Sequence, residues 1–253
     1  MKVFKTLSLL LIPLVFVMGF LVLRQIYVGV DILERSSPAP VGKYDVVKLN
    51  LNEGRLEMFW EDGVDGDPRF SSLRSMIDEY DGRITFATNG GMFDIDGDPI
   101  GLYIEDGVEL KSINQNSGYG NFHLEPNGVF YISEDGAAVT TTRKFLDISE
   151  EVKYATQSGP MLVFDGKINE QFTEGSENLH IRSGVCAVTQ DELVFIISNE
   201  RVNFFEFASE FLNRGCTDAL YLDGFVSKMY APDIGRIESG GAFGVVIGFI
   251  KSL

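Results

Sequence analysis

Four polar clusters, each flanked by glycine and each abutting an apolar run, carry the side chains of this chain that could do chemistry. They are Thr88-Asn89-Gly90-Gly91, Ser158-Gly159-Pro160, His180-Ile181-Arg182-Ser183-Gly184 and Leu222-Asp223-Gly224. A strand that ends in a polar residue followed by glycine lifts that side chain clear of the sheet and lets a ligand approach the backbone. Four such ends suggest one shared site. Asp223 follows the apolar Ala219-Leu220-Tyr221-Leu222 and should emerge at the mouth of a buried strand, where a carboxylate can act as base, nucleophile or metal ligand. The same residues also describe a plain Asp-Gly turn. Arg182 precedes a strongly apolar segment, and its planar fork suits phosphate or carboxylate, although a lone arginine in an acidic chain is more often a surface ion pair. Asn89, with Gly90 and Gly91 behind it, offers a carboxamide beside backbone N–H groups, an arrangement suited to an anion or a sugar hydroxyl.

Other polar groups are weaker candidates. Ser158 lacks the G-x-S-x-G context of a hydrolase elbow, because Thr156-Gln157 precede it, and reads as a binding hydroxyl. His123 and His180 are the only histidines, and neither has metal-ligand spacing to a second strong donor. A Ser-His-Asp triad would require His180 to reach Ser158. Asp94, Asp96 and Asp98 surround Gly97, but an EF-hand loop places its glycine after the third acid, so a solvated turn is expected here. Asp62, Asp65 and Asp67 are read the same way, and no metal ligand is assigned.

The elements that must position these groups are mostly strands. Val47, Leu49 and Leu51 alternate with polar residues, as do Leu56, Met58 and Trp60 after Asn52-Glu53-Gly54, which predicts an opening hairpin. Asp106-Gly107 between Ile100–Glu105 and Val108–Leu110 is a strong two-residue hairpin signal. Similar punctuation separates Gly128–Ile132 from Ala137–Thr142, Met161–Phe164 from Lys167-Ile168, and Val185–Val188 from Leu193–Ile197. Two helices are expected. One carries Phe70, Leu73, Ile77 and Tyr80 at helical spacing, with Ser71 or Ser72 as cap and Gly82 as stop; the other spans Phe204–Arg214, with Asn203 and Glu206 as a capping box and Gly215 at its end. The resulting expectation is an α+β fold, a mostly antiparallel mixed β-sheet core with a few packing helices, in one domain over residues 44–253.

Ahead of that domain, Lys2 and Lys5 precede an apolar stretch from Leu7 to Leu23 closed by Arg24, the shape of an export segment. Residues 1–30 are read as a signal anchor or signal peptide, with the uncleaved anchor favoured, and residues 31–43 as a linker stiffened by Pro38 and Pro40. The expected location is therefore extracytoplasmic or periplasmic, tethered to a membrane. Formal charge is −16, and the three cations before Asp31 make the exported part more negative still. Such a surface repels nucleic acid, and an anionic substrate would need local cations to hold it. Cys186 and Cys216 are the only cysteines; an oxidising compartment would let them pair, while two buried free thiols fit the sequence equally well.

Taken in order, TNGGMF (Thr88–Phe93), QSGPMLV (Gln157–Val163), HIRSGV (His180–Val185) and ALYLDGFVSKMY (Ala219–Tyr230) resemble the phosphodiester glycosidase family, which includes bacterial exopolysaccharide-associated relatives. Its N-G-G segment falls on Asn89, Gly90 and Gly91, its S-G-P segment on Ser158, Gly159 and Pro160, and its arginine on Arg182. Its L-D-G-G-G-S segment falls on Leu222 to Ser227, where two family glycines are replaced by Phe225 and Val226.

The resemblance implies a hydrolase cleaving a sugar-1-phosphodiester or related glycosidic bond, with a carbohydrate or sugar-phosphate as substrate. In such a bond the leaving group is already a stable anion, so the usual pair of carboxyl groups can shrink to one. Asp223 would activate water or stabilise positive charge at the anomeric carbon, and Arg182 with the Asn89-Gly90-Gly91 amides would hold the phosphate. Ser158, Gly159, Gly224 and Ser227 would line the substrate site. No cofactor is required, and a divalent cation is compatible with the same groups. The acidity argues against an anionic substrate and would not oppose a neutral glycan. The rival readings are a non-catalytic carbohydrate-binding protein of polysaccharide assembly or export, and a phosphodiesterase that cuts the P–O bond.

Overall fold

The computed structural model describes residues 42–60, 73, 77, 78, 80, 83–238, 240 and 243–252. The export segment, most of the linker and the Asp62–Asp67 loop lie outside the described residues. Of the helix expected around residues 70–80, Leu73, Ile77 and Asp78 are helical, Tyr80 lies in a turn, and the remainder is likewise outside.

Along the chain the strands are β1 (Tyr44–Asn50), β2 (Gly54–Trp60), β3 (Ile84–Asn89), β4 (Tyr103–Glu105), β5 (Val108–Lys111), β6 (Gly128–Ser133), β7 (Gly136–Thr141) and β8 (Val152–Ser158). They continue as β9 (Met161–Phe164), β10 (Lys167–Ile168), β11 (Ser183–Ala187), β12 (Glu192–Ser198), β13 (Ala219–Tyr221), β14 (Met229–Ala231), β15 (Arg236–Ile237) and β16 (Val245–Lys251). The described residues also include a one-turn helix α1 (Thr142–Phe145), a longer α2 (Phe204–Asn213) and short 3-10 turns at Asn121–His123 and Pro232–Ile234. The strands form three sheets, ordered β1-β12-β11-β13-β9-β10, β15-β14-β3-β16-β2 and β5-β4-β8-β6-β7. Each strand pairing is antiparallel, as the abundance of short-turn signals predicts.

The three sheets enclose one core to which each contributes, including Phe195 and Leu220 from the first, Met58 and Phe86 from the second, and Tyr103 and Phe130 from the third. Period-two alternation decides what lies outside it. Val185, Phe195, Ile197 and Leu220 point into the shared core, whereas Cys186, Val194, Ile196, Ala219 and Tyr221 point to the opposite face and meet α2. That helix lays Phe204, Phe207, Ala208 and Phe211 on the sheet. Its entry is fixed by the expected capping box: Asn203 accepts from the Glu206 N–H at 2.9 Å, and Glu206 accepts from the Asn203 N–H at 3.2 Å. Cys186 and Cys216, the second following α2, form a disulfide on this face.

Three two-residue or short-turn hairpins expected from sequence close as β4–β5, β6–β7 and β9–β10, and β11–β12 follows the same pattern. Asp106 and Gly107 have φ of 49° and 80°, and Asp165 and Gly166 have 50° and 71°, the left-handed pair that such tight turns require. The opening hairpin does not form. Instead β1 pairs with β12 and β2 with β16, so Asn52-Glu53-Gly54 carries the chain from one sheet to another. Alternation shows that each segment has one buried face; it does not name the strand across from it.

Candidate active site

The ends of β3, β8, β11 and β13 meet at one place, and backbone hydrogen bonds hold them there. Asp223 N donates to the Gly90 carbonyl at 3.1 Å, Tyr221 N to the Pro160 carbonyl at 3.1 Å, and Leu222 N to the Ser183 carbonyl at 3.0 Å. Gly91 N donates to Thr156 Oγ1 at 3.1 Å. All four polar clusters, far apart in the chain, are thus brought together.

Asp223 lies just past β13 and is only 7 % exposed. Its Oδ1 accepts the Phe225 N–H at 2.8 Å, and the Phe93 N–H also bonds to it. Burial pushes its carboxyl above the ordinary aspartate value, and these two N–H donors only partly oppose that shift. A carboxylate held in this way is a stronger base than one in water, which suits proton transfer. Tyr221, two residues earlier on the same face, is 1 % exposed, and its phenol is pushed up to about 12, chiefly by burial. It therefore stays protonated at neutral pH. Its phenol also feels the charges of Arg182 and Asp223.

Arg182 is fully buried. Its Nε donates to the Val202 carbonyl and its Nη2 to the Asn178 carbonyl, both at 2.9 Å, while the guanidinium lies 3.6 Å from the centroid of Phe204. Its Nη1 has no hydrogen-bond partner in the protein. The bidentate fork expected to face a ligand is thus directed largely inward, because residue 182 falls on the α2 side of the sheet and α2 supplies the ring that covers it. Among the described residues no ion pair joins Arg182 to Asp223.

The Asn89-Gly90-Gly91 segment also differs from its expected role as a set of free amide donors. Asn89 is 1 % exposed; its Nδ2 donates to the Asp223 carbonyl at 2.9 Å, and its Oδ1 accepts from Ser183 Oγ at 3.1 Å and from Lys228 N at 3.2 Å. Gly90 N donates to the Val245 carbonyl at 2.7 Å. The two glycines are needed for packing: a Cβ on Gly90 would lie 2.5 Å from Val245 Cγ1, and one on Gly91 would lie 2.4 Å from the Gln157 carbonyl oxygen. These residues position Asp223 rather than presenting donors to solvent.

Ser158, at the end of β8, is completely buried, and its Oγ has no partner. It makes no contact with His180, which is exposed and forms a backbone bridge with Val202. Gly159 is tightly packed against the Phe122 carbonyl, 2.6 Å from where a Cβ would sit. Ser227 Oγ lies 3.2 Å from Ser183 Oγ and 3.4 Å from the Asp223 carbonyl, within the loop that follows β13. Gly224 admits the Tyr221 hydroxyl, which would be 1.6 Å from a Cβ there. In the loop at Gly97, Asp94 Oδ1 caps the N–H groups of Asp96 and Asp98, and Lys111 pairs with Asp98. Among the described residues no group of three or more His, Cys, Asp or Glu side chains is placed to hold a metal.

Sequence reasoning passed over Tyr221 and Ser183. A signal for the first was present: in Tyr221-Leu222-Asp223 the tyrosine and the acid share a face by alternation. Ser183 adjoins Arg182 but carries no such signal, because its partner Asn89 belongs to another sheet.

An antiparallel β-rich domain with a buried carboxylate where strands of three sheets end is the class that fold and site define. A sequence model described as phosphodiester glycosidase matches residues 82–243, more than half of the chain. The chain belongs to the phosphodiester glycosidase family, a family of hydrolases of phosphodiester glycosidic linkages. It is 34 % identical over 185 residues to the uncharacterized protein YigE of Escherichia coli (strain K12), covering 72 % of each chain. Its fold is similar to that of the zebrafish N-acetylglucosamine-1-phosphodiester α-N-acetylglucosaminidase catalytic domain auto-inhibited by its pro-peptide. That match has a TM-score of 0.50 and 16 % identity, over 87 % of this chain and 92 % of the other. A hypothetical protein from Synechocystis also has a TM-score of 0.50, at 13 % identity, over 82 % of this chain and 59 % of its own.

Proposed function

We propose that this chain is an exported, membrane-tethered hydrolase that cleaves a sugar-1-phosphodiester or a related glycosidic bond in envelope or exopolysaccharide metabolism. The observation that carries the reading is the state of Asp223. It is a nearly buried carboxyl with a raised pKa, fixed by two N–H donors at the meeting point of four strand ends. Asp223 activates water or stabilises positive charge at the anomeric carbon, and the phosphate monoester departs as an anion without needing a second carboxyl group.

Arg182 supplies the local cation. Fully buried, it acts through its field and through Tyr221, and a low-dielectric setting lets one charge offset the repulsion of a distant acidic surface. Ser158 is completely buried, so no direct substrate contact is assigned to it. Asn89, Gly90 and Gly91 hold the acid in place. The Cys186–Cys216 disulfide supports the extracytoplasmic location, because such bonds persist in oxidising compartments.

Incubation with a panel of sugar-1-phosphodiesters in oxygen-labelled water tests the reading. Label in the released sugar is expected, and it marks C–O cleavage. Label in the phosphate would mean P–O cleavage, and absence of turnover across the panel would favour a binding protein.

A further inference from the structure

Phe225 is 94 % exposed, yet its own backbone N–H is tied to Asp223 Oδ1 at 2.8 Å. Its ring is therefore presented to solvent from a fixed point two residues from the proposed catalytic carboxyl. A phenylalanine left in water forgoes the hydrophobic gain of burial. Beside it opens a cavity of about 400 Å³ whose wall includes Phe225, Ser198, Asn199, Ser227, Arg236 and Glu238. That volume is in the range of small-molecule sites.

The charges around this cavity indicate what it takes. Arg236 donates through Nε and Nη2 to Glu238 Oε2 at 3.0 and 2.9 Å, and through Nη1 to Asp45 Oδ2 and Asn199 Oδ1, both at 2.6 Å. Its guanidinium is thus engaged by two carboxylates and an amide, and Lys228, the other cation on the wall, has an interaction of its own within the protein. The Ser227 hydroxyl, the carboxylate of Glu238 and an aromatic ring at the rim fit a neutral polyhydroxylated ring instead. Its C–H face can lie on the aromatic, and its hydroxyls can reach the polar wall.

We propose that Phe225 and this cavity form a sugar subsite, in which the ring of Phe225 binds the face of a neutral pyranose next to the bond that Asp223 acts on. Phe225 is then a specificity-determining residue. The placement of the bond rests on the hydrolase reading, whereas the binding of the sugar does not.

The test is a titration of the isotope-labelled full chain, in a detergent without a sugar headgroup, with methyl α-glucoside, N-acetylglucosamine and inorganic phosphate separately. Amide signals of Gly224, Phe225, Ser227 and Asn199 are followed by NMR. A neutral sugar should shift them with a dissociation constant on the order of 1–10 mM. Phe225→Ala should weaken that binding about fivefold or more, Phe225→Trp should retain it, and neither should lower the melting temperature. Shifts with phosphate but with neither sugar, no shifts at all, or unchanged sugar binding in Phe225→Ala would overturn the subsite. Sugar binding without turnover would leave the subsite standing and remove the hydrolase reading; turnover with binding indifferent to residue 225 would do the reverse.

Discussion

Asn89 grips Asp223 by its backbone: Asn89 Nδ2 donates to the Asp223 carbonyl at 2.9 Å. The next residue completes the hold, because the Gly90 carbonyl accepts the Asp223 N–H at 3.1 Å. Two consecutive residues at the end of β3 thus fix both polar backbone groups of the acid from a different sheet. The same carboxamide accepts from Lys228 N, so both ends of the 223–228 loop are anchored on one side chain.

Replacing Asn89 with Ala should therefore cost both stability and activity. It removes the acceptor of the Lys228 N–H and one partner each from the Asp223 carbonyl and the Ser183 hydroxyl, which keep Ser227 Oγ, and a buried group left unsatisfied costs about 1–3 kcal/mol. Urea denaturation should show a loss of about 1–3 kcal/mol with unchanged m. At temperatures where the variant remains folded, kcat should fall while substrate affinity changes little, because Asn89 places the acid and does not bind the sugar.

Asp223→Asn should separate function from stability. Asparagine keeps the acceptor for the Phe225 N–H and removes the charge, so turnover should drop by orders of magnitude in a folded protein. Because burial raises the pKa of Asp223 in the fold, the protonated form is the one the fold favours. The stability this group contributes is complete below the unfolded value of about 3.9 and is lost as pH rises through the higher folded value. The melting temperature of the variant should accordingly exceed that of the wild type at pH 7, with the gap closing as pH falls below the folded value. A gap independent of pH would refute the raised pKa.

Much of this architecture can be read from residue types alone. Asp106-Gly107 announces a hairpin because this pair readily adopts the two left-handed conformations of a type I′ turn, and Asn203 with Glu206 announces α2 because those side chains satisfy its first N–H groups. These signals are local. The partners of β1 and β2 are not, since many apolar faces fit one core equally well, and the expected opening hairpin is replaced by pairings with β12 and β16. The same limit governs the site. Polar strand ends mark Asn89, Ser158, Arg182 and Asp223 as a group, but the direction in which each donor points depends on neighbours contributed from elsewhere. Phe204 on α2 covers Arg182, and the Val245 carbonyl takes the Gly90 N–H.

The Cys186–Cys216 disulfide ties β11 to the segment that follows α2, across 30 residues of chain. Constraining a loop of that length in the unfolded state contributes about 3–4 kcal/mol in the chain-entropy treatment. The double variant Cys186→Ala, Cys216→Ala should melt about 7–14 °C below the wild type. Calorimetry with and without reductant checks this: reductant should lower the wild-type transition and leave that of the variant unmoved.

Gly224 and Tyr221 should prove coupled. A Cβ at residue 224 would lie 1.6 Å from the Tyr221 hydroxyl and 2.7 Å from its ring carbon Cζ, and Tyr221 is 1 % exposed with little room to retreat. Gly224→Ala must then displace either the phenol, which interacts with both Arg182 and Asp223, or the loop that carries Asp223. Either movement should lower turnover at least about tenfold, since catalytic geometry tolerates little displacement. Tyr221→Phe removes the oxygen but leaves the closer ring carbon, so the double variant should recover part of the stability lost in Gly224→Ala. A coupling energy of about 0.5–3 kcal/mol is expected from the cycle of single and double variants. Strict additivity would show that the phenol does not occupy the space under Gly224.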